Sequence, residues 1–175
     1  LLIYTLDTEV VDGITYNGAG IYRATAIAPN TPVDQAERLT REQLAQNSLL
    51  YKYADNPGAY HCPGDLRTRR LQVGAGWAYV SYSKANGMNG GGWGGQVPYK
   101  KLSTVNAPSK SFIFIEEADP RGYNQGTWVV DNYRWVDPFA IFHGVVSTFS
   151  FADGHAEFQK WVDAGTIKAA TDAAN

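Results

Sequence analysis

The apolar positions of the chain change period from one segment to the next. Val33, Ala36, Leu39, Leu44, Leu49, Leu50 and Tyr53 predict a helical region over 33–54. Thr31-Pro32 reads as an N-cap followed by proline at the first helical position. Thr40 with Gln43 repeats the start signal as a capping box, which predicts a break near Thr40, and Asn56-Pro57-Gly58 stops the segment. Later the pattern becomes strand-like. Ser111-Phe112-Ile113-Phe114-Ile115 suits a buried central strand, Trp128-Val129-Val130 predicts another, and Trp77, Tyr79 and Tyr82 predict a strand over 76–83. Two runs, 145–152 and 155–161, flank Asp153-Gly154, a two-residue hairpin signal. That turn sets Phe151 opposite Ala156 and Phe149 opposite Phe158. Phe149, Phe151 and Phe158 then share an inner face, with Thr148, Ser150, Glu157 and Gln159 facing solvent.

The ends are less regular. Leu2, Ile3 and Leu6 fit the last turns of a helix, so residues 1–9 read either as the stump of a longer helix or as an ordinary first strand or helix. Asp12-Gly13 marks a turn, 14–30 reads as loop or short strand, and Ala169 to Asn175 is expected to fray. No run of 18 apolar residues is present.

Composition narrows the classes. With 175 residues, 44% hydrophobic and 18% charged, the chain suits one ordered domain with a core, spanning 1–175. A formal charge of -2 argues against a nucleic-acid binder. A single cysteine excludes an internal disulfide and a cysteine-cluster zinc site. The 18 Gly beside 5 Trp, 11 Tyr and 7 Phe point to β-structure with many loops.

Candidate chemistry is sparse. The stretch Asn86 to Gly95 is glycine-rich, but it lacks the Gly-Lys-Ser/Thr ending of a phosphate loop. His143 stands ten residues before Asp153, and an extended strand between them spans about 30 Å, so they cannot pair and are expected to fix the two ends of a hairpin. His155 is expected to be solvated or to cap the turn. Glu116, Glu117 and Asp119 could serve a carboxylate-based hydrolase, but adjacent strand residues face opposite ways, and a strand end breaking into solvent is the expectation. Asp131, Asn132 and Asp137 offer oxygen ligands for calcium in a pattern that matches no EF-hand. Ser48, Ser81 and Ser109 have no histidine beside them in sequence. Cys62 has no helix start to activate its thiol.

Several blocks together resemble a known group. His143, nine residues, then Asp153-Gly154 resembles the signature of the prepilin-type processing-associated family with a His-(nine residues)-Asp-Gly motif. Tyr60-His61-Cys62-Pro63-Gly64-Asp65 resembles its Cys-Pro-Ser-Asp block, with Gly64 in place of Ser. Ser81 to Gly87 is similar to its Ser-Tyr-x-x-Asn-Gly block, one residue longer here, and Pro108-Ser109-Lys110 before the strand ending at Glu116 is similar to another. Thr148 departs from the family, which commonly has Asn.

The resemblance implies an α+β, pilin-like head. An N-terminal helix, mostly absent here, would pack on an antiparallel sheet with long loops, and residues 1–9 would be its tail. It implies a non-catalytic subunit of a type IV pilus or type II secretion pseudopilus. Such a subunit sits in the cell envelope, periplasmic or extracellular, anchored in the inner membrane before assembly. Its partners would be other filament subunits and the membrane, with no nucleic acid. It also implies a disulfide from Cys62 to a cysteine in the absent helix. Calcium, bound by major pseudopilins, finds no alignable motif here, and no cofactor is expected. A second reading is a carbohydrate- or substrate-binding module presenting Trp77, Trp93 and Trp135 for stacking.

Overall fold

The computed structural model describes residues 9–11, 14–16, 27–48, 50–74, 76–88, 97–119, 127–129, 131 and 136–174. Strands β1 (Glu9–Val11) and β2 (Ile14–Tyr16) pair antiparallel in a small sheet of their own. Helix α1 (Val33–Asn47) and the single turn α2 (Arg67–Arg70) precede the main sheet. That sheet contains β3 (Tyr82–Ala85), β4 (Phe112–Glu116), β5 (Thr127–Trp128), β6 (Val146–Phe151) and β7 (Ala156–Lys160), in the order β5-β3-β4-β6-β7. Helix α3 (Ala164–Ala174) follows. The expected α+β class is therefore observed.

Strand β4 is central because its apolar run can be covered on both faces. On one side, Phe114 joins Tyr82 and Trp77 around Leu44, Tyr60, Tyr79 and Val80. On the other, Ile115 packs with Phe139 and Ala170 of α3, among Phe112, Phe149 and Trp161. Phe112 reaches this second side because β4 and β6 slip by a bulge between Phe112 and Phe114. Its ring meets Phe149 edge-on at 5.5 Å.

Several expectations need correction. Glu9 lies in a strand paired with Tyr16, not in a helical stump; the β-branched residues around it favour extended backbone. Residues 1–8 and Asp12-Gly13 lie outside the described residues. Helix α1 runs unbroken through Thr40, whose hydroxyl donates to the Ala36 carbonyl at 2.9 Å inside the helix, so it caps nothing. The helix stops at Asn47 rather than 54. Thr31 donates to the Ala28 carbonyl at 2.6 Å and makes no cap bond. The strand expected over 76–83 is shifted to Tyr82–Ala85, and β5 pairs with β3 in parallel, not antiparallel. The expected fraying is not seen through Ala174, Asn175 lying outside the described residues: Asp163 accepts from the Thr166 N–H at 2.7 Å, starting α3, and Ala170 is buried.

The hairpin register is also corrected. Phe151 N–H donates to the His155 carbonyl at 2.9 Å, which closes a three-residue loop of Ala152, Asp153 and Gly154, with Gly154 at φ 96°. One extra loop residue moves every pairing by one. Phe149 faces Glu157, and Phe158 faces Thr148. Because side chains alternate, Phe158 leaves the aromatic face and is 73% exposed. Ile115→Ala is expected to cost about 2–5 kcal/mol in urea unfolding. Phe158→Ala is expected to change stability by no more than about 0.5 kcal/mol. A large loss at Phe158 would restore the two-residue turn.

Candidate functional site

The resembling blocks meet at one place. Asn56 caps a 3-10 turn over Pro57–Tyr60, accepting from the Gly58 N–H at 2.9 Å. The chain then turns at Cys62-Pro63-Gly64-Asp65, where Asp65 N–H donates to the Cys62 carbonyl at 2.9 Å and Gly64 N–H donates to Cys62 Sγ at 3.3 Å. Pro63 is exposed on this turn. Asp65 is buried beside Arg67, which donates from Nε and Nη2 at 2.6 to 3.1 Å. Ser81, at the start of the central block, donates to Asp65 Oδ2 at 2.7 Å and accepts from the Cys62 N–H at 3.0 Å.

Arg67 carries the network on to the second block. Its guanidinium lies over the Phe142 ring at 5.3 Å. The Phe142-His143 turn comes so close that a Cβ on Gly64 would stand 2.8 Å from the Phe142 carbonyl oxygen. The serine common at that position in the resembling family would not fit here without a shift. His143 Nε2 then lies 3.3 Å from Cys62 Sγ and 3.2 Å from Glu116 Oε1. Glu116 Oε2 accepts from the Thr148 N–H at 3.1 Å. That donor is main chain, so the departure from Asn at 148 leaves this contact intact.

This arrangement is poorly suited to nucleophilic catalysis. A relay uses one ring nitrogen for the nucleophile and the other for the orienting acid, whereas here Nε2 faces both Cys62 and Glu116. Burial first, then Glu116, pushes the Cys62 thiol up to about 11, against the opposing pull of the Gly64 N–H. Ser81 does have a histidine in space, with His61 Nδ1 at 3.4 Å, but its proton goes to Asp65 and His61 Nδ1 faces the Tyr79 carbonyl at 2.8 Å.

His143 and Asp153 share no hydrogen bond, as their spacing predicts. Asp153 accepts from His155 Nδ1 at 2.6 Å at the exposed hairpin tip. Trp77 does not present a stacking face: it is half-buried against the Leu44 and Tyr79 cluster. Trp93, Trp135 and most of the glycine-rich loop lie outside the described residues. A cavity of about 260 Å³ lies between the sheet and the 50–60 loop, lined by Leu50, Tyr60, Tyr82, Phe114, Thr148 and Ser150, with no tryptophan.

Glu116, Glu117 and Asp119 do not break into solvent; all three are fully buried. The segment 137–140 folds back along the end of β4, with Ala140 N–H on the Glu116 carbonyl at 2.8 Å and Ala118 N–H on the Pro138 carbonyl at 3.3 Å, and covers them. Glu116 and Glu117 do face different surroundings. Oxygens of Glu117, Asp119 and Asp137 lie within 4.8 Å of one another; Asp131 is not in this group, and Asn132 lies outside the described residues. Neither oxygen of Glu117 has a hydrogen-bond partner, and the nearby Ser83 hydroxyl closes no bond of normal length. Burial, then the neighbouring Asp137 and Asp119, hold the Glu117 carboxyl well above the usual range despite Ser83 and Arg67.

Sequence reasoning missed Arg67, for which the Asp65-x-Arg67 spacing was the available signal; it named Ser81 and Glu117, but not that Ser81 bonds Asp65 or that Asp137 joins Glu117 and Asp119.

Two outcomes follow from the buried charges. Asp65→Ala is expected to cost about 3–5 kcal/mol in urea unfolding, because it strands Arg67, and the double change Asp65→Ala with Arg67→Met is expected to cost less than the single one. Glu117 keeps its proton when folded, whereas an ordinary glutamate loses it near pH 4.5. The folded chain therefore binds more protons, and the stability Glu117 contributes is full below pH 4.5 and falls as pH rises. Glu117→Gln, which cannot ionise, is expected to remove the fall that begins above pH 4.5, read as the change in unfolding free energy with pH.

Compared with known proteins, the chain matches no family model, no curated protein and no solved structure.

Proposed function

We propose that the chain is the head of a non-catalytic filament subunit of the pilin or pseudopilin kind, in the cell envelope. The observation that carries this reading is the convergence of Cys62, Asp65, Ser81, Glu116 and His143. They come from four separated blocks and spend their polar groups on one another. Their role is to clamp loops onto a sheet, which is what a building block needs. The raised thiol and the enclosed carboxylates support a structural role over hydrolysis. The apolar cavity and the packed Trp77 give a carbohydrate-binding reading little support.

Among the described residues no helix is long and apolar enough to cross a membrane. A filament subunit of this kind requires such a helix upstream of the head. Expression of the gene with its own upstream sequence, followed by membrane fractionation, leader mapping by mass spectrometry and shearing of surface filaments, tests the proposal. The expected product is membrane-held, trimmed at a leader and recovered in sheared filaments. A product found only as a soluble monomer would overturn it.

A further inference from the structure

We propose that Cys62, Glu116 and His143 form a binding site for one zinc ion, or a thiophilic divalent cation of the same class, completed by a non-protein ligand. The three ligand atoms lie within 4.8 Å of one another and come from three separate parts of the fold: the Cys62 turn, the inner end of β4 and the turn before β6. Tetrahedral zinc, bound at its usual bond lengths, separates sulfur from nitrogen by about 3.6 Å and nitrogen from oxygen by about 3.4 Å. The observed separations are 3.3 and 3.2 Å, so those two pairs need to part by only a few tenths of an ångström, and sulfur and carboxylate oxygen lie within 4.8 Å of each other.

The hydrogen-bonding alternative is incomplete. Nε2 of a neutral imidazole carries one hydrogen or one lone pair, and here it faces two groups that each ask for it. A cation at the centre takes the lone pair of all three atoms. The second shell fits the same purpose. Gly64 N–H points at Cys62 Sγ, and Glu116 Oε2 is held by the Thr148 N–H, leaving Oε1 for the site. Gly64 also makes room for the His143 ring, whose Cε1 would lie 3.3 Å from a Cβ placed there. The mixed sulfur, nitrogen and oxygen set selects a borderline-soft ion over calcium or magnesium. A single cysteine excludes a thiolate cluster but not a mixed site. Binding replaces the thiol S–H bond with a zinc–thiolate bond, and the proton leaves to solvent.

The test uses the untagged 175-residue chain, stripped with chelator and titrated with zinc chloride and, separately, cobalt chloride. Expected are stoichiometric zinc by elemental analysis, proton release on binding, and a thiolate-to-cobalt charge-transfer band with tetrahedral visible bands. His143→Gln, at a half-exposed position, is expected to keep the far-ultraviolet dichroism of the parent and lose zinc affinity by tenfold or more. Cys62→Ser is expected to abolish the charge-transfer band, and His155→Ala to change nothing. Absence of stoichiometric zinc from a chain whose thiol is shown to be free, or equal affinity in parent and His143→Gln, overturns the site. The filament reading does not depend on the outcome.

Discussion

A carboxylate fully removed from water sets the terms for this fold. Glu116 sits at the inner end of the central strand, where an unpaired charge would cost several kcal/mol. Its oxygens are met by the Thr148 N–H from the neighbouring strand and by the His143 ring. The turn carrying that ring packs so closely on Gly64 that a Cβ there would stand 2.8 Å from the Phe142 carbonyl oxygen, and Phe142 lies beneath the Arg67 guanidinium. Arg67 is itself buried, and tolerable only beside Asp65, which Ser81 from the central block also holds. One buried carboxylate thus joins a sequence of contacts that ties β4 and β6 to the segments carrying Cys62, Arg67 and Ser81.

Among the described residues apolar packing is not one continuous core. It is divided into clusters on the two faces of a narrow sheet, with a further small one around Val105, Ile113 and Ala152. The polar network lies in the seam between the long loops and the sheet. Its directional bonds fix loop positions that non-directional burial alone would leave loosely specified.

Much of the fold was legible in local pattern. The run at 111–115 and the helix beginning near 33 carry their own period, and the Asp-Gly hairpin carries its own turn chemistry. What failed did so for physical reasons. Asp153-Gly154 looks the same in a two-residue and a three-residue loop, yet the difference of one residue turns Phe158 outward. Thr40 and Gln43 have the spacing of a capping box, but helical residues on either side let the threonine bond back within the helix. Glu116, Glu117 and Asp119 read as a strand running into water because nothing local reveals that 137–140 folds over them. The family resemblance brought Cys62 and His143 to notice together. It did not show that Glu116 joins them, a juxtaposition of three segments far apart in the chain.

Among the described residues strand β7 forms one edge of the sheet, and all five of its residues are exposed. An open edge of this kind invites a second chain to extend the sheet through main-chain hydrogen bonds. Here Glu157 and Lys160 stand on that strand, Glu157 near His155 and Asp153 at the tip, so an incoming strand would have to strip water from charge along its length. This edge is thereby guarded against sheet extension by strand addition.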